Sequence, residues 1–254
     1  MKPFESPIRY LALAALSAAF AACAPVPVGT PLQSNASAAA PVVAVGDNWS
    51  YRVTDGFTGL VRGTQRHGVV EMAGDRIVMA VTREDGKDES WVYDRGWNWL
   101  RHPAHGLQSF DYTSPYPAFA FPLAPGGTWF GRSTATDPET GRRFPLTVQG
   151  TVLGWERIRV PAGEFDALKV KRVVFFDYQE YTVRGRSEIV EFEWYAPAVK
   201  QAVRREGTAV FFSFFYGDGN TGGLHRAQFS GEGGKGGWAK DDWLISELTA
   251  YTVR

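Results

Sequence analysis

The chain has almost no cysteine: Cys23 is the single one among 254 residues. That excludes an intrachain disulfide and any paired-cysteine metal or redox motif. An excess of either charge is also missing, with 27 basic against 27 acidic side chains. Taking away residues 1–23, with Lys2, Arg9 and Glu5, leaves 25 against 26, a balance that argues against nucleic acid or an anionic surface as the main partner. There is no Gly-x-Ser-x-Gly elbow and no His-Glu-x-x-His pair. After Cys23, no stretch keeps apolar residues at helical spacing for three turns. The one long apolar run, residues 10–22, falls short of the roughly 20 residues that cross a bilayer.

That run is nevertheless informative. Residues 1–9 are positive, thirteen apolar or small residues follow, and the run ends on the cysteine, which is the layout of an export signal. Phe20-Ala21-Ala22-Cys23 resembles the bacterial lipobox, in which small residues precede a cysteine that is acylated on sulfur and becomes the new N-terminus. Phe20 stands where that pattern usually has Leu. The resemblance implies a signal peptide over 1–22 and a lipidated Cys23. Several acyl chains on one residue give firm membrane attachment. Ala24, which is not Asp, implies sorting to the outer membrane, facing the periplasm. The alternative is ordinary signal peptidase cleavage, giving a soluble periplasmic or secreted protein.

Residues 24–44 hold four prolines, little charge and no aromatics, and read as a flexible tether spanning on the order of 25 Å. From 45 to 254 the pattern is that of one β domain. Ile77, Met79 and Val81 alternate on one face of a strand. Ala73-Gly74-Asp75 and Glu84-Asp85-Gly86-Lys87 are hairpin turns. Residues 102–127, with Pro103, Pro115, Pro117, Pro122 and Pro125, break the rhythm and read as a long loop or strap over a barrel end. The pattern then restarts: Gly126-Gly-Thr-Trp129 echoes Gly46-Asp-Asn-Trp49, and residues 163–172 echo 74–83. A weak internal duplication, 46–103 and 126–206, accounts for this. The expected fold is all-β, an antiparallel meander curled into a closed or half-open barrel.

Ile158-Arg-Val-Pro-Ala-Gly-Glu-Phe-Asp-Ala-Leu-Lys-Val170, followed by Glu193-Trp-Tyr-Ala-Pro-Ala-Val199, resembles a set of uncharacterised bacterial envelope proteins, TapB-like ones included. The resemblance implies a barrel-like β fold and supplies no catalytic residues.

Candidates for chemistry are sparse. His102 and His105 give a metal only two ligands on a proline-bearing loop. Asp218 and Asn220 sit at calcium-loop spacing without the closing acid, and an Asp-Gly turn explains them. Residues 230–237, five glycines in eight, lack the ending of a phosphate cradle. Glu191 and Glu193 share a strand face as paired acids would. Solvent exposure, with Arg184 and Arg186 answering them across a hairpin, is the simpler reading.

Residues 210–216 place aromatics on both faces, so one face meets something apolar: the strap, a lipid or a partner. Phe211, Phe212, Phe214, Phe215 and Tyr216, with Trp97 and Trp99, form the candidate apolar binding surface. The functional expectation is an envelope lipoprotein without enzymatic activity, cofactor or metal. It would act as a partner-binding accessory protein or, alternatively, as a carrier or sensor for an apolar ligand in a curved sheet. A hydrolase is the third reading.

Overall fold

A computed structural model describes residues 28–86, 88–104, 108–179, 183–215 and 237–254, with backbone alone at 178–179, 183–185, 211–215 and 237–242. Thirteen strands follow one another in the order β1 (Gly29–Leu32), β2 (Asn48–Asp55), β3 (Val61–Ala73), β4 (Arg76–Arg83), β5 (Asp88–Asp94), β6 (Trp99–Pro103), β7 (Ser109–Tyr116), β8 (Thr128–Thr136), β9 (Arg143–Val160), β10 (Gly163–Gln179), β11 (Val183–Ala196), β12 (Gln201–Phe215) and β13 (Gly237–Thr252). From β2 onward each strand pairs antiparallel with the next. β13 returns to pair with β2, Thr252 opposite Asn48 and Leu244 opposite Asp55, and the meander closes into a twelve-stranded barrel. Closure leaves no bare edge in the ring.

The alternation that builds the strands also builds the core. Ile77, Met79 and Val81 of β4 point inward and are buried, as are Trp49 and Tyr51 of β2 and Trp91 and Tyr93 of β5. The outer wall carries exposed ion pairs, Arg101 with Asp111 and Arg186 with Asp177. An aromatic-filled inside and a charged outside are the reverse of a barrel that spans a membrane with its strands. Among the described residues no helix is long and apolar enough to cross one either.

The two ends differ. One end is capped by residues 117–127, where Ala118 and Leu123 are fully buried and Phe119 and Phe121 pack on Tyr195 at 6.0 and 5.3 Å. Trp129 fastens this strap, its Nε1 donating to Pro117 O at 2.8 Å. The tip of the β9–β10 hairpin reaches across the same end, with Ala162 N donating to Leu248 O at 3.0 Å. The opposite end, where β2 hands over to β3 and β4 to β5, is the mouth.

Two expectations change. The proline-rich stretch is not all loop: β7 occupies 109–116 and pairs with β6 and β8. Pro115 falls where β7 no longer needs its N–H, because the β7–β8 ladder pairs only Asp111 and Tyr112. The segment read as a free tether is also built into the fold from residue 28 on. β9 runs past the start of β8, and β1 covers that surplus edge, Gly29 opposite Ile158 and Leu32 opposite Trp155. Ala38 then bridges Leu123, and Val43 is buried.

Some local arrangements recur between 46–103 and 126–206. Gly46 N donates to Val69 O and Val69 N to Asp47 O; Gly126 N donates to Val152 O and Val152 N to Gly127 O. Trp97 and Lys200, in the β5–β6 and β11–β12 corners, both hold positive φ, 61° and 59°.

Candidate functional site

Strand parity places ionisable groups on the inner face. Arg172 of β10 shares its face with Val170, Val174 and Phe176, all buried. Glu191 and Glu193 of β11 fall on the face of buried Ile189, and Arg205 of β12 on that of buried Val203 and Ala209. The three strands are neighbours, so these groups meet. Arg172 Nε donates to Glu191 at 2.8 Å and its Nη2 to Glu193 at 2.6 Å. The third arm, Nη1, donates to Ala118 O of the strap at 3.1 Å. Arg205 Nε reaches the other oxygen of Glu193 at 2.9 Å, and its Nη2 donates to Gln201 at 2.8 Å. Tyr116 OH donates to Glu191 at 3.2 Å. One chain of charge-assisted bonds thus ties three walls of the barrel to its cap.

Burial alone would raise the Glu193 carboxyl, but Arg205 and Arg172 outweigh it and hold Glu193 below the usual range, so it is ionised. Burial likewise works against the charge on Arg172, and Glu193 and Glu191 reverse that and raise it. His67 and His102 face the same interior from β3 and β6. Desolvation first, and Arg205 next, push both imidazoles well below their ordinary value, so both are neutral. Their rings flank Trp91, with centroids at 4.7 and 4.3 Å, and His102 stacks on Trp99 at 3.9 Å. The other face of Trp99 stacks on Tyr116 at 4.0 Å.

Between these side chains lies a chamber of about 160 Å³, bounded by His67, Trp91, His102, Arg172, Glu193 and Arg205. It adjoins a wider vestibule at the mouth, about 450 Å³, flanked by Arg62, Thr64, Arg83 and Glu84. Gln65, Trp91, Pro103 and Leu244 line both spaces. The chamber by itself falls below the usual size of small-molecule pockets, about 300–1,000 Å³, and the adjoining vestibule falls within that range. Both carboxylates are engaged by arginine, and Glu193 is held away from the near-neutral pKa that proton transfer needs. Among the described residues no group of three or more His, Cys, Asp or Glu could hold a metal ion.

The second feature is the β2–β3 loop on the rim. Asp55 organises it: Oδ1 accepts from the backbone N–H of Phe57 and Thr58, both at 2.9 Å, and the other oxygen pairs with Arg62. That Arg62 pairing, helped by the two backbone donors, lowers the Asp55 carboxyl to about 2. Gly56 donates to Trp243 O at 2.7 Å, and only glycine fits, because a Cβ there would lie 2.2 Å from the Trp243 ring. On this frame Phe57, Leu60 and Val61 stand 56, 67 and 59% exposed, with the Phe57 ring edge-on to Trp243 at 5.6 Å.

The sequence candidates are distributed as follows. Trp97 is buried at the capped end between Trp49 and Tyr93, and Trp99 is buried in the chamber wall. The side chains of Phe211, Phe212, Phe214 and Phe215 lie outside the described set, as do Tyr216, Cys23, His105 and the glycine-rich segments. Glu193 is buried and bonded to Arg172 and Arg205, which corrects its reading as an exposed acid answered across the hairpin; Arg186 pairs with Asp177 instead. Arg172, Arg205 and His67 had not been singled out. The signal for Arg172 was present: position 172 continues the even-numbered apolar series 168, 170, 174 and 176.

No known family profile matches the chain, and no curated protein does. Among solved structures, a protein of Parabacteroides distasonis provisionally described as a lipoprotein aligns with a TM-score of 0.50 at 16% identity, over 85% of this chain and all of that one. A second, from Bacteroides fragilis and provisionally described as exported with a YmcC-like fold, aligns at 0.49 and 17% over the same shares. What the chain has in common with the Parabacteroides protein is the fold.

Proposed function

We propose that this protein is a bacterial envelope lipoprotein, acylated on Cys23 and held at the outer membrane facing the periplasm. It works by docking a partner protein at the barrel mouth and catalyses no reaction. The observation that carries this reading is the rim loop, a hydrogen-bonded frame that holds Phe57, Leu60 and Val61 in water. Preorganised apolar side chains of this kind lose little freedom on binding, so their burial goes into affinity. The alternative of a carrier for an apolar ligand is less well supported, because the chamber is lined by Arg172, Glu193 and Arg205 and the vestibule by Arg62, Arg83 and Glu84. Its aromatic Trp99 already has both faces covered. A photo-crosslinking residue at position 60, expressed in cells with Cys23 intact, should yield a discrete protein adduct that Phe57→Ala weakens and a mid-wall control at position 113 does not give. Equal labelling at both positions would reject the rim as the docking site.

A further inference from the structure

Among the described residues, exposed large apolar side chains are not scattered over the barrel. Three are the rim residues Phe57, Leu60 and Val61. The others described lie at or near the capped end. Val28 adjoins the β9–β10 turn, Val42 and Val45 precede β2, and Tyr251 closes β13 against Phe165 at 5.9 Å. Phe130 and Val70 stand a little higher, two and three residues from where their strands reach that end, and Leu153 lies on β9 just past the start of β8. Val42 is 85% exposed, and nothing in the fold uses it.

The chain enters at the same end. Val28 is the residue before β1, and β1 is welded to β9, so only residues 24–27 separate Cys23 from the barrel wall. Even fully extended, the step from Cys23 to Val28 spans at most about 18 Å. Acyl chains on Cys23 would therefore draw the capped end, with its apolar collar, onto the headgroup layer. β3, thirteen residues long, rises about 40 Å along its length and about 30 Å along a barrel axis at ordinary tilt. The rim loop would be held that far out.

We infer that the capped end is a lipid-bilayer contact surface and that the mouth faces away from the anchoring membrane. This inference rests on acylation of Cys23. Its collar residues rest in the interface beside the paired charges of Arg157 with Asp166 and Arg159 with Glu164, which can stay hydrated there. Apolar side chains at such a surface sit about 5–10 Å deep.

The chain is suited to the test, because an introduced cysteine is the only free thiol once Cys23 is acylated. The full-length lipidated protein carrying Val42→Cys, Thr113→Cys or Leu60→Cys is labelled with an environment-sensitive fluorophore and reconstituted into phosphatidylcholine vesicles with shallow spin-labelled lipid. The probe at 42 should be quenched by the spin label, and those at 113 and 60 should emit as in water. Quenching at 60 that equals or exceeds quenching at 42, or none at 42 in protein that floats with the vesicles, overturns the orientation while leaving the anchor standing. Protein that does not float with vesicles overturns both.

Discussion

Replacing Glu193 with Gln should destabilise the barrel far more than any change on its outer wall. The substitution keeps the shape of the side chain and removes the charge that two guanidinium groups share, Arg172 at 2.6 Å and Arg205 at 2.9 Å. Arg172 is 3% exposed and cannot turn to water for compensation. Breaking a buried ion pair from one side costs about 3–5 kcal/mol; here Arg172 keeps Glu191, whereas Arg205 is left with Gln201 and, among the described residues, no carboxylate. For a folded region of about 200 residues, an unfolding entropy near 2.1 cal/mol/K per residue amounts to roughly 0.4 kcal/mol/K. The expected fall in Tm is therefore about 7–12 °C at pH 7, read by circular dichroism or tryptophan fluorescence. Asp177→Asn, which breaks the exposed pair with Arg186, should cost no more than about 1 kcal/mol, or 2–3 °C. The contrast also depends on acid. Glu193 is held below its unfolded pKa, so its contribution is present above about pH 4.3 and is lost as the pH falls through the folded value. The two melting curves should converge there. Equal Tm losses for Glu193→Gln and Asp177→Asn at pH 7 would refute the idea that the network holds the walls to the cap.

Further outcomes follow from other residues. His67 and His102 are held neutral by burial, so the unfolded chain takes up protons first as the pH drops below about 6.5. Denaturant titrations should show about 3 kcal/mol lost between pH 7.5 and 5.5, about half of it recovered by His67→Gln relative to its own pH 7.5 value. Cys23→Ser should move the protein from the membrane to the soluble fraction or block its processing; normal processing with membrane retention would refute acylation. Gly150→Ala should destabilise by about 1–3 kcal/mol and loosen the strap, since a Cβ there would meet the Trp129 ring at 2.0 Å; a crystal structure or a Trp129 fluorescence shift would report it. Leu60→Asp should leave Tm within about 2 °C, because nothing depends on its burial, while abolishing the rim crosslink.

The all-β character was legible in the chain because its turns and periodicity agree: Ile77, Met79 and Val81 lie between Gly74 and Gly86, both of which hold positive φ. Closure could be expected from strand number, but the β13–β2 pairing could not, since it joins residues about two hundred positions apart. β1 and β7 were hidden by prolines, which mark a strand as unsuited to a central ladder and say nothing against a covering or partly paired one. The inner charges were misjudged at Glu193 because alternation tells which residues share a face and not which face is inside. The rim loop was beyond reach, because Phe57 and Leu60 look like core residues until the Asp55 frame turns them outward.

Because Asn48 finds its partner in Thr252, the first wall of the barrel waits for the last. During synthesis β2 emerges early and has only β3 beside it until the C-terminal strand arrives, so the half-made sheet carries two naked borders for the whole of that interval. Long-range pairing of this kind is slow. Shortening the chain by even its final ten residues would strip the seam from 245 onward and leave an unclosed ribbon prone to cling to its own kind.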